Sequence, residues 1–244
     1  MNVLKNQSIT VKSTLQVRTL EINNQYNLID IDLLRPHEQI DPNRLKEIKK
    51  QLIKDGVQRE PIIIEGNNLI VLDGHHRIRA LKDLGYSKVV AHKINYNDSN
   101  LILKTWYPAI KGSKKDLHTI LHNHFATSET QQIISRCPRL ILDDKEHNLK
   151  TDRKTIMDSI LGRFGIRYVR NEEKARELAR HDNFAGCIIF ESIGKQDVID
   201  AALSGSILPP KTTQHIIPCR PEKCFIPLER LGKCLHITTT SDLK

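Results

Sequence analysis

A short aliphatic segment that runs directly into a glycine and three basic residues constrains this chain more than any other feature. Leu69 to Leu72 is typical of a strand, and the next five residues, Asp73 to Arg77, read Asp-Gly-His-His-Arg. Apolar residues at helical spacing then continue to Gly85. A glycine lets a ligand approach the backbone, and the free amides at a helix start attract anions. The segment therefore predicts either a phosphate site or an ordinary turn before a solvated helix, and spacing alone favours neither.

The charge balance of the chain points to an anionic partner. The 244 residues include 38 Lys and Arg against 29 Asp and Glu, a formal net charge of +9. A balance of this size favours phosphates, nucleotides or nucleic acid. No run of five like charges occurs, and aromatic residues make up only 5% of the chain, so a basic arm and a base-stacking surface are not indicated. A bound nucleotide accounts for the charge as well as DNA would.

The patterns of apolar residues divide the chain into two parts. Alternation from Leu28 to Leu33 predicts a strand, and Asp41-Pro42 predicts the start of a helix that ends at Gly56. With the aliphatic segments that follow, these elements predict a compact α/β unit over residues 1–112. Helical and strand-like segments are mixed after that point, which predicts a second, α+β unit over residues 113–244. The fold class expected for the whole chain is α+β.

Three further motifs carry groups suited to chemistry, each with a plainer alternative. Glu38, in Pro-His-Glu-Gln, could accept a proton, although most loop glutamates are merely solvated. Trp106, in Thr-Trp-Tyr-Pro, could wall a small polar pocket, although a buried tryptophan that joins two units is commoner. Lys211 to His215, with the sequence Lys-Thr-Thr-Gln-His, suits phosphate or carboxylate binding and equally suits a basic surface turn.

The sequence indicates neither a metal site nor a secretory route. Cys219, Cys224, Cys234 and His236 are suitable ligand types without the regular spacing of a zinc site. The five cysteines are an odd number without a CxxC pair, as is typical of free thiols in a reducing compartment. No apolar run approaches the length of a membrane span, and the first residues show no signal-peptide pattern. We therefore expect a cytoplasmic protein with no membrane partner, and its metal ligands stay unassigned.

Taken together and in this order, the motifs resemble those of the archaeal free-serine kinases of the ParB/sulfiredoxin-like fold. The strand, the Asp-Gly-His-His-Arg turn and the helix resemble the fold itself. Arg-Pro-His-Glu-Gln at 35–39, Thr-Trp-Tyr-Pro-Ala-Ile-Lys-Gly at 105–112 and Pro-Lys-Thr-Thr-Gln-His at 210–215 resemble the kinases. The match over roughly residues 113–205 is poor. The resemblance implies phosphorylation of free L-serine to O-phospho-L-serine by ADP or ATP with Mg²⁺, a reaction of amino-acid and cysteine biosynthesis. The motifs come from both units, so we expect the active-site cleft to lie between them.

The resemblance also implies a role for each motif. Glu38 is the general base for the serine hydroxyl. The residues implied to bind the nucleotide, chiefly its phosphates, are Val57, Asp73, Gly74, His75, His76 and Arg77. The residues implied to bind serine or its product are Trp106, Lys211, Thr212, Thr213 and His215. The motif of the kinases has an arginine where this chain has Gln214, so one fixed positive charge is missing, and the choice between ADP and ATP stays open.

Three other functions compete with this interpretation, and one of them, which Gln214 keeps open, is a regulator that has kept the fold but lost turnover. A ParB-like DNA-binding protein or nucleotide switch without kinase turnover would share the Gly-His-His-Arg turn and the basic charge. It would also need a helix-turn-helix or a basic stripe, which the sequence after residue 112 does not show. A sulfiredoxin-like reductase needs a cysteine where His75 and His76 stand. Nucleic acid is therefore not an expected partner, and the sequence leaves the oligomeric state open.

Overall fold

The structure is a computed structural model, and it describes residues 20–23, 25–125 and 137–233. Over these residues the chain forms two five-stranded sheets and two short two-stranded ribbons, with helices packed on the sheets. This architecture confirms the predicted α+β class. Within the described ranges, no helix has both the length and the apolar character that a bilayer crossing requires.

The first sheet comes from the first hundred residues. The elements of this part are β1 (Leu20–Asn23), β2 (Tyr26–Asp30), α1 (Pro42–Asp55), β3 (Val57–Gln58), β4 (Ile62–Glu65), β5 (Val71–Asp73), α2 (His75–Asp83) and β6 (Lys88–Ile94). The strand order is β1-β2-β6-β4-β5, in which β4 and β6 are parallel and the other neighbours are antiparallel. The predicted turn from Asp73 to Arg77 therefore lies at an edge of this sheet, between β5 and α2.

Helix α1 begins and ends where the sequence predicts. The Asp41 carboxylate accepts hydrogen bonds from two amides of the first turn at 2.8 and 3.2 Å, and Pro42 occupies the first helical position. Gly56 ends the helix in the left-handed conformation with φ of 64°. Because α1 is fixed at both ends, the loop before it, which carries Glu38, has a rigid support on one side.

The predicted strand from Leu28 to Leu33 is wrong in its second half. β2 ends at Asp30, and Ile31–Leu33 form one turn of 3₁₀ helix. The Ile31 amide donates to the carbonyl of Ser87, the residue before β6, at 2.9 Å. The chain leaves the sheet after this bond. Ile31 is buried in either arrangement, whereas Leu33, which a strand would bury, is exposed. The alternating pattern therefore extends beyond the strand that it predicts.

The second sheet lies in the second part of the chain. The elements of this part are β7 (Ile102–Lys104), β8 (Tyr107–Lys111), α3 (Lys114–Leu121), β9 (Arg139–Leu142), β10 (Lys145–Asn148), α4 (Arg153–Ile160), β11 (Gly165–Val169), α5 (Glu172–Ala179), β12 (Phe184–Ile189), α6 (Lys195–Ser204), β13 (Gln214–Ile216) and β14 (Ile226–Pro227). The sheet order is β10-β9-β12-β8-β11, with every neighbouring pair antiparallel. The ribbons are β13 with β7 and β14 with β3.

Residue 112 does not separate the two units cleanly, because segments on each side of it pack with the unit on the other side. β8 precedes that residue but pairs with β11 and β12 of the second sheet. Ile226, Leu228 and Leu231 follow it but are buried in the core of the first sheet. The chain thus leaves the first unit after β6, returns to it with α6, whose Val198 packs with Ile63 of β4, and comes back again at β14. The division into residues 1–112 and 113–244 stays a prediction.

The central strand of the second sheet has a glycine that its neighbour requires. β12 is buried along its whole length. A Cβ atom on Gly186 would clash with the carbonyl oxygen of Ile141 in β9. Since that oxygen belongs to the backbone of a paired strand, a side chain at Gly186 can be accepted only if the two strands move apart.

We expect Gly186→Ala to lower the free energy of unfolding by about 1–3 kcal/mol, the usual cost of overpacking a core. Urea denaturation measures the change. Gly66→Ala is the matched control, because its Cβ would meet only the Ile94 carbonyl at 3.5 Å, an ordinary contact. Equal stabilities of the two variants would contradict the packing argument.

Candidate active site

The sequence motifs meet in one cleft of about 1270 Å³, lined by residues from both parts of the chain. The predicted site residues that line it are Glu38, Val57, Asp73, Gly74, His75, His76, Arg77, Trp106, Lys211, Thr213 and His215. Thr212 lies behind this surface, where its buried hydroxyl donates to the Pro209 carbonyl at 2.8 Å. The motifs, which are far apart in sequence, therefore belong to one site.

The turn between β5 and α2 requires glycine. Gly74 has φ of 110°, and a Cβ atom there would lie 2.5 Å from Cγ2 of Ile62. α2 begins at the next residue, His75, with no side-chain cap. His76 Nε2 accepts a hydrogen bond from the Asp41 amide at 3.0 Å, which ties the start of α2 to the start of α1. The first-turn amides and the positive end of the helix dipole thus suit an anion in the cleft.

Arg77 and Asp73 are both engaged in contacts within the protein. Arg77 Nη1 donates to the carbonyls of Glu60 and Pro61 at 3.0 and 2.6 Å, and Nη2 lies 3.6 Å from Asp73 Oδ1. Arg220 donates to Asp73 Oδ2 at 2.7 Å. Burial acts to raise the pKa of Asp73, but Arg77 and Arg220 outweigh it and hold this pKa below its usual value. Asp73 is therefore an ionised carboxylate beside the turn, while Arg77 as a phosphate ligand stays a prediction.

The loop that carries Glu38 is held on both sides by backbone hydrogen bonds. The Arg35 amide donates to the Leu69 carbonyl, and the Arg35 carbonyl accepts from the Val71 amide, each at 3.0 Å. On either side of Glu38, the His37 carbonyl accepts from the Leu208 amide at 2.8 Å and the Gln39 amide donates to the Leu208 carbonyl at 2.9 Å. Glu38 therefore lies where a loop of the first sheet meets the segment that leads to Thr213.

The carboxylate of Glu38 is fixed by Thr213. Its Oε1 accepts hydrogen bonds from the amide and the hydroxyl of Thr213 at 2.5 and 2.6 Å. Burial raises the pKa of Glu38, and the Thr213 bonds and the charge of Lys211 reduce this rise without cancelling it. A positioned carboxylate with a raised pKa is suited to accept a proton, because its proton affinity lies closer to that required near neutral pH.

Three imidazoles in or beside the cleft are neutral, two of them buried (His37 and His215) and one partly buried (His75). His37 Nε2 lies 3.3 Å from the Thr213 hydroxyl, and the His37 amide donates to His75 Nε2 at 3.3 Å. His215 Nε2 is hydrogen-bonded to the Tyr96 hydroxyl at 2.9 Å. Burial lowers the pKa of His37 to about 4 and that of His215 to about 3, and it holds the pKa of His75 well below its usual value. At neutral pH an anion in the cleft would therefore meet fixed cations and uncharged rings.

Trp106 and Lys211 form another wall of the cleft. Trp106 Nε1 donates to the Thr213 carbonyl at 3.1 Å, so the ring is tied to the residue that holds the general-base candidate. Lys211 Nζ lies 4.8 Å from the centre of the Trp106 ring, within the range of a cation–π contact. The half-buried ring therefore both lines the pocket and joins the two segments.

Three residues of the second part of the chain complete this region, and the sequence analysis missed them. Arg153 donates to the Thr105 hydroxyl at 2.8 Å and to the Thr212 carbonyl at 3.3 Å. Tyr168 and Arg220 line the cleft. None of the three belongs to a local motif, so no signal in the sequence could have identified them.

The described residues include no group of three His, Cys, Asp or Glu side chains placed to hold a metal ion. Cys137, Cys187, Cys219 and Cys224 are free thiols, while Cys234 and His236 lie outside the described residues. A magnesium ion bound largely through phosphates needs only one or two carboxylates from the protein. The ionised Asp73 in the cleft fits that requirement.

Comparisons with known proteins agree with the predicted family. The ATP-dependent L-serine kinase of Staphylothermus marinus is 32% identical over 228 residues, which cover 84% of this chain and 90% of that protein. The ADP-dependent L-serine kinase of Thermococcus kodakarensis is 25% identical over 224 residues, covering 84% and 93%. A solved free serine kinase in complex with AMP has a TM-score of 0.73 at 23% identity, over 85% of this chain and 93% of the other. The fold is therefore ParB/sulfiredoxin-like, as predicted. No protein-family model matches the chain.

The neutral histidines make the stability of the protein depend on pH. Because the pKa of His37 is about 4 in the folded protein and 6.5 ordinarily, the unfolded chain binds a proton below pH 6.5 that the folded protein does not bind. The free energy of unfolding should therefore fall as the pH falls from 6.5 towards 4. Between pH 7 and pH 5 we expect this loss to be about 2 kcal/mol smaller in His37→Gln. Urea denaturation at the two pH values measures it, and equal losses in both proteins would contradict the neutral state of His37.

Proposed function

This chain belongs to the family of L-serine kinases, and from that premise we propose that it transfers a phosphoryl group from ADP or ATP to the hydroxyl of free L-serine. The product is O-phospho-L-serine. The observation that carries the proposal is the partly buried carboxylate of Glu38, held by Thr213 in the same cleft as the turn from Asp73 to Arg77. Phosphoryl transfer to a hydroxyl needs a proton acceptor and a site that neutralises phosphate charge, close together.

Glu38 accepts the proton of the serine hydroxyl. The serine oxygen forms a bond to the terminal phosphorus while the bond from that phosphorus to the nucleotide oxygen breaks, and AMP or ADP departs. Because Thr213 holds Oε1, the other oxygen, Oε2, receives the proton. The raised pKa of Glu38 favours this step.

The donor phosphates bind at the start of α2. Gly74, His75 and His76 offer backbone amides and the positive end of the helix dipole. Arg77 adds a fixed positive charge at the side of the turn. Val57 follows α1 and lines the cleft, where it contacts the nucleoside.

L-Serine binds beside Trp106. Lys211 supplies a positive charge for the substrate carboxylate or for the phosphate of the product. Thr213 and His215 supply hydrogen-bonding groups at the cleft surface, and Thr212 supports them from behind. The cation–π contact of Lys211 with Trp106 keeps this charge at the wall of the cleft.

Asp73 would hold a magnesium ion together with the donor phosphates, since its carboxylate is ionised and lines the cleft. When bound, that ion would neutralise negative charge on the transferring phosphoryl group. Asp73 would then exchange part of its contact with Arg220 for the ion.

The cell compartment and the pathway follow from the same proposal. We propose that the protein works in the cytoplasm, a location supported by the free thiols of the four described cysteines. Its product would serve amino-acid biosynthesis, including that of cysteine.

Incubation with L-serine and Mg²⁺ should yield O-phospho-L-serine with at least one of ADP and ATP. Phosphorus-31 NMR identifies the product and the released nucleotide in one sample. L-Alanine, which lacks the hydroxyl, is the control for nucleotide hydrolysis without transfer. Absence of phosphoserine with both nucleotides would refute the proposal.

Glu38→Gln should lower kcat about 10²-fold, the lower part of the range for loss of a general base, because the loose transition state limits what a base contributes. KM should change little, since the proton is accepted mainly in the transition state. The control is Glu47→Gln, which changes an exposed glutamate of α1 that pairs with Arg44. A kcat near that of the unaltered protein would show that Glu38 is not the base.

A further inference from the structure

Arg153, the first residue of α4, joins three segments behind the cleft. Its Nη2 donates to the Thr105 hydroxyl at 2.8 Å and to the Glu191 carbonyl at 3.1 Å, and Nη1 donates to the Thr212 carbonyl at 3.3 Å. Its Cζ lies 4.2 Å from the centre of the Phe190 ring. A planar guanidinium suits several fixed acceptors and an aromatic face at once, so these contacts hold the group in one orientation.

The residues that Arg153 contacts are direct neighbours of residues in the cleft. Thr105 precedes Trp106, and Thr212 precedes Thr213. The Thr105 hydroxyl donates to the Thr212 carbonyl at 3.0 Å, and Trp106 Nε1 donates to the Thr213 carbonyl at 3.1 Å. Arg153 thus completes a network that links the two segments immediately behind the site.

The helix that carries Arg153 provides a rigid base for this network. The Asp152 carboxylate caps α4 by accepting from the Thr155 amide at 2.9 Å. The residues by which α4 is buried in the core of the second sheet are Ile156, Met157 and Ile160. The position of Arg153 is therefore set by the second core.

We propose that Arg153 is a positioning residue that, through Thr105 and Thr212, holds Trp106 and Thr213 in place and thereby fixes the orientation of Glu38. Arg153 does not itself line the cleft, so it acts through these neighbours. The effect on catalysis rests on the proposed function, whereas the effect on geometry does not. Misplacing a reacting group by 1 Å can lower a rate about 10²-fold.

The charge of Arg153 gives the proposal a second signature. Burial lowers the pKa of Arg153 to about 10, which leaves it charged at neutral pH, and the carboxylate of Glu38 acts against this fall. The other groups that interact with Glu38 are the cation of Lys211 and the phenol of Tyr168, with neutral His37 beside its Thr213 partner. Loss of the Arg153 charge should therefore raise the pKa of Glu38.

Two variants separate position from charge. Arg153→Met removes both, whereas Arg153→Lys keeps the charge but cannot match the three acceptors with a planar fork. The control is Arg180→Met, because Arg180 is exposed and pairs with Asp144 on the surface. Four properties are measured: kcat, its pH profile, the carbon-13 NMR titration of the Glu38 carboxyl, and acrylamide quenching of Trp106, the only tryptophan.

We expect kcat to fall about 10–100-fold in Arg153→Met and about 10-fold in Arg153→Lys, with stronger quenching of Trp106 in both. The acid limb of the pH profile and the Glu38 titration should move to higher pH only in Arg153→Met. Arg180→Met should behave as the unaltered protein does.

Unchanged quenching in both Arg153 variants, or an unmoved Glu38 titration in Arg153→Met, would overturn the inference. If Arg153→Met does not fold, Arg153→Lys alone tests the inference, and unchanged quenching of Trp106 in that variant is sufficient to reject the inference. If the unaltered protein makes no phosphoserine, the proposed function fails, and quenching with the titration still decides the role of Arg153.

Discussion

Two hydrogen bonds from Thr213 to one oxygen of Glu38 connect parts of the chain that lie 175 positions apart. The loop of Glu38 is anchored to the first sheet and to Leu208, and Thr213 is anchored through its carbonyl to Trp106. Burial alone disfavours an ionised carboxylate and raises the pKa of Glu38, and the Thr213 donors on this oxygen reduce that rise. The cleft depends on this contact, because it joins the parts of the chain that form its walls.

The electrostatics of the cleft divide into groups with permanent charge and groups without charge. His37, His75 and His215 are so enclosed that they stay neutral well below pH 7. The guanidinium groups of the arginines carry a permanent positive charge. These three rings therefore do not change charge with small changes of pH near neutrality, although histidines at many phosphate sites do.

Features set by local rules could be predicted from the sequence, and those set by distant contacts could not. The caps of α1 and the strand-turn-helix at Gly74 follow from the conformations open to proline and glycine. Glu38 matched a solvated loop residue because the group that encloses it, Thr213, is remote in sequence. Arg153 could not be identified from sequence patterns for the same reason, since each of its hydrogen-bond partners is at least 38 positions away. The family resemblance, which rests on the order of the motifs along the chain, predicts that such distant residues share one site. It does not predict the contacts between them.

The return of the chain to the first unit affects the order in which the two units can fold during synthesis. Ile226, Leu228 and Leu231 complete the core beneath the first sheet, although the strands of that sheet are all synthesised by residue 94. The second sheet, in contrast, has all of its strands by Ile189. On the ribosome, where units fold as they emerge, the later sheet can therefore close its core before the earlier one. The first unit is then the last to reach its final packing, and it does so when the segment around residue 230 emerges.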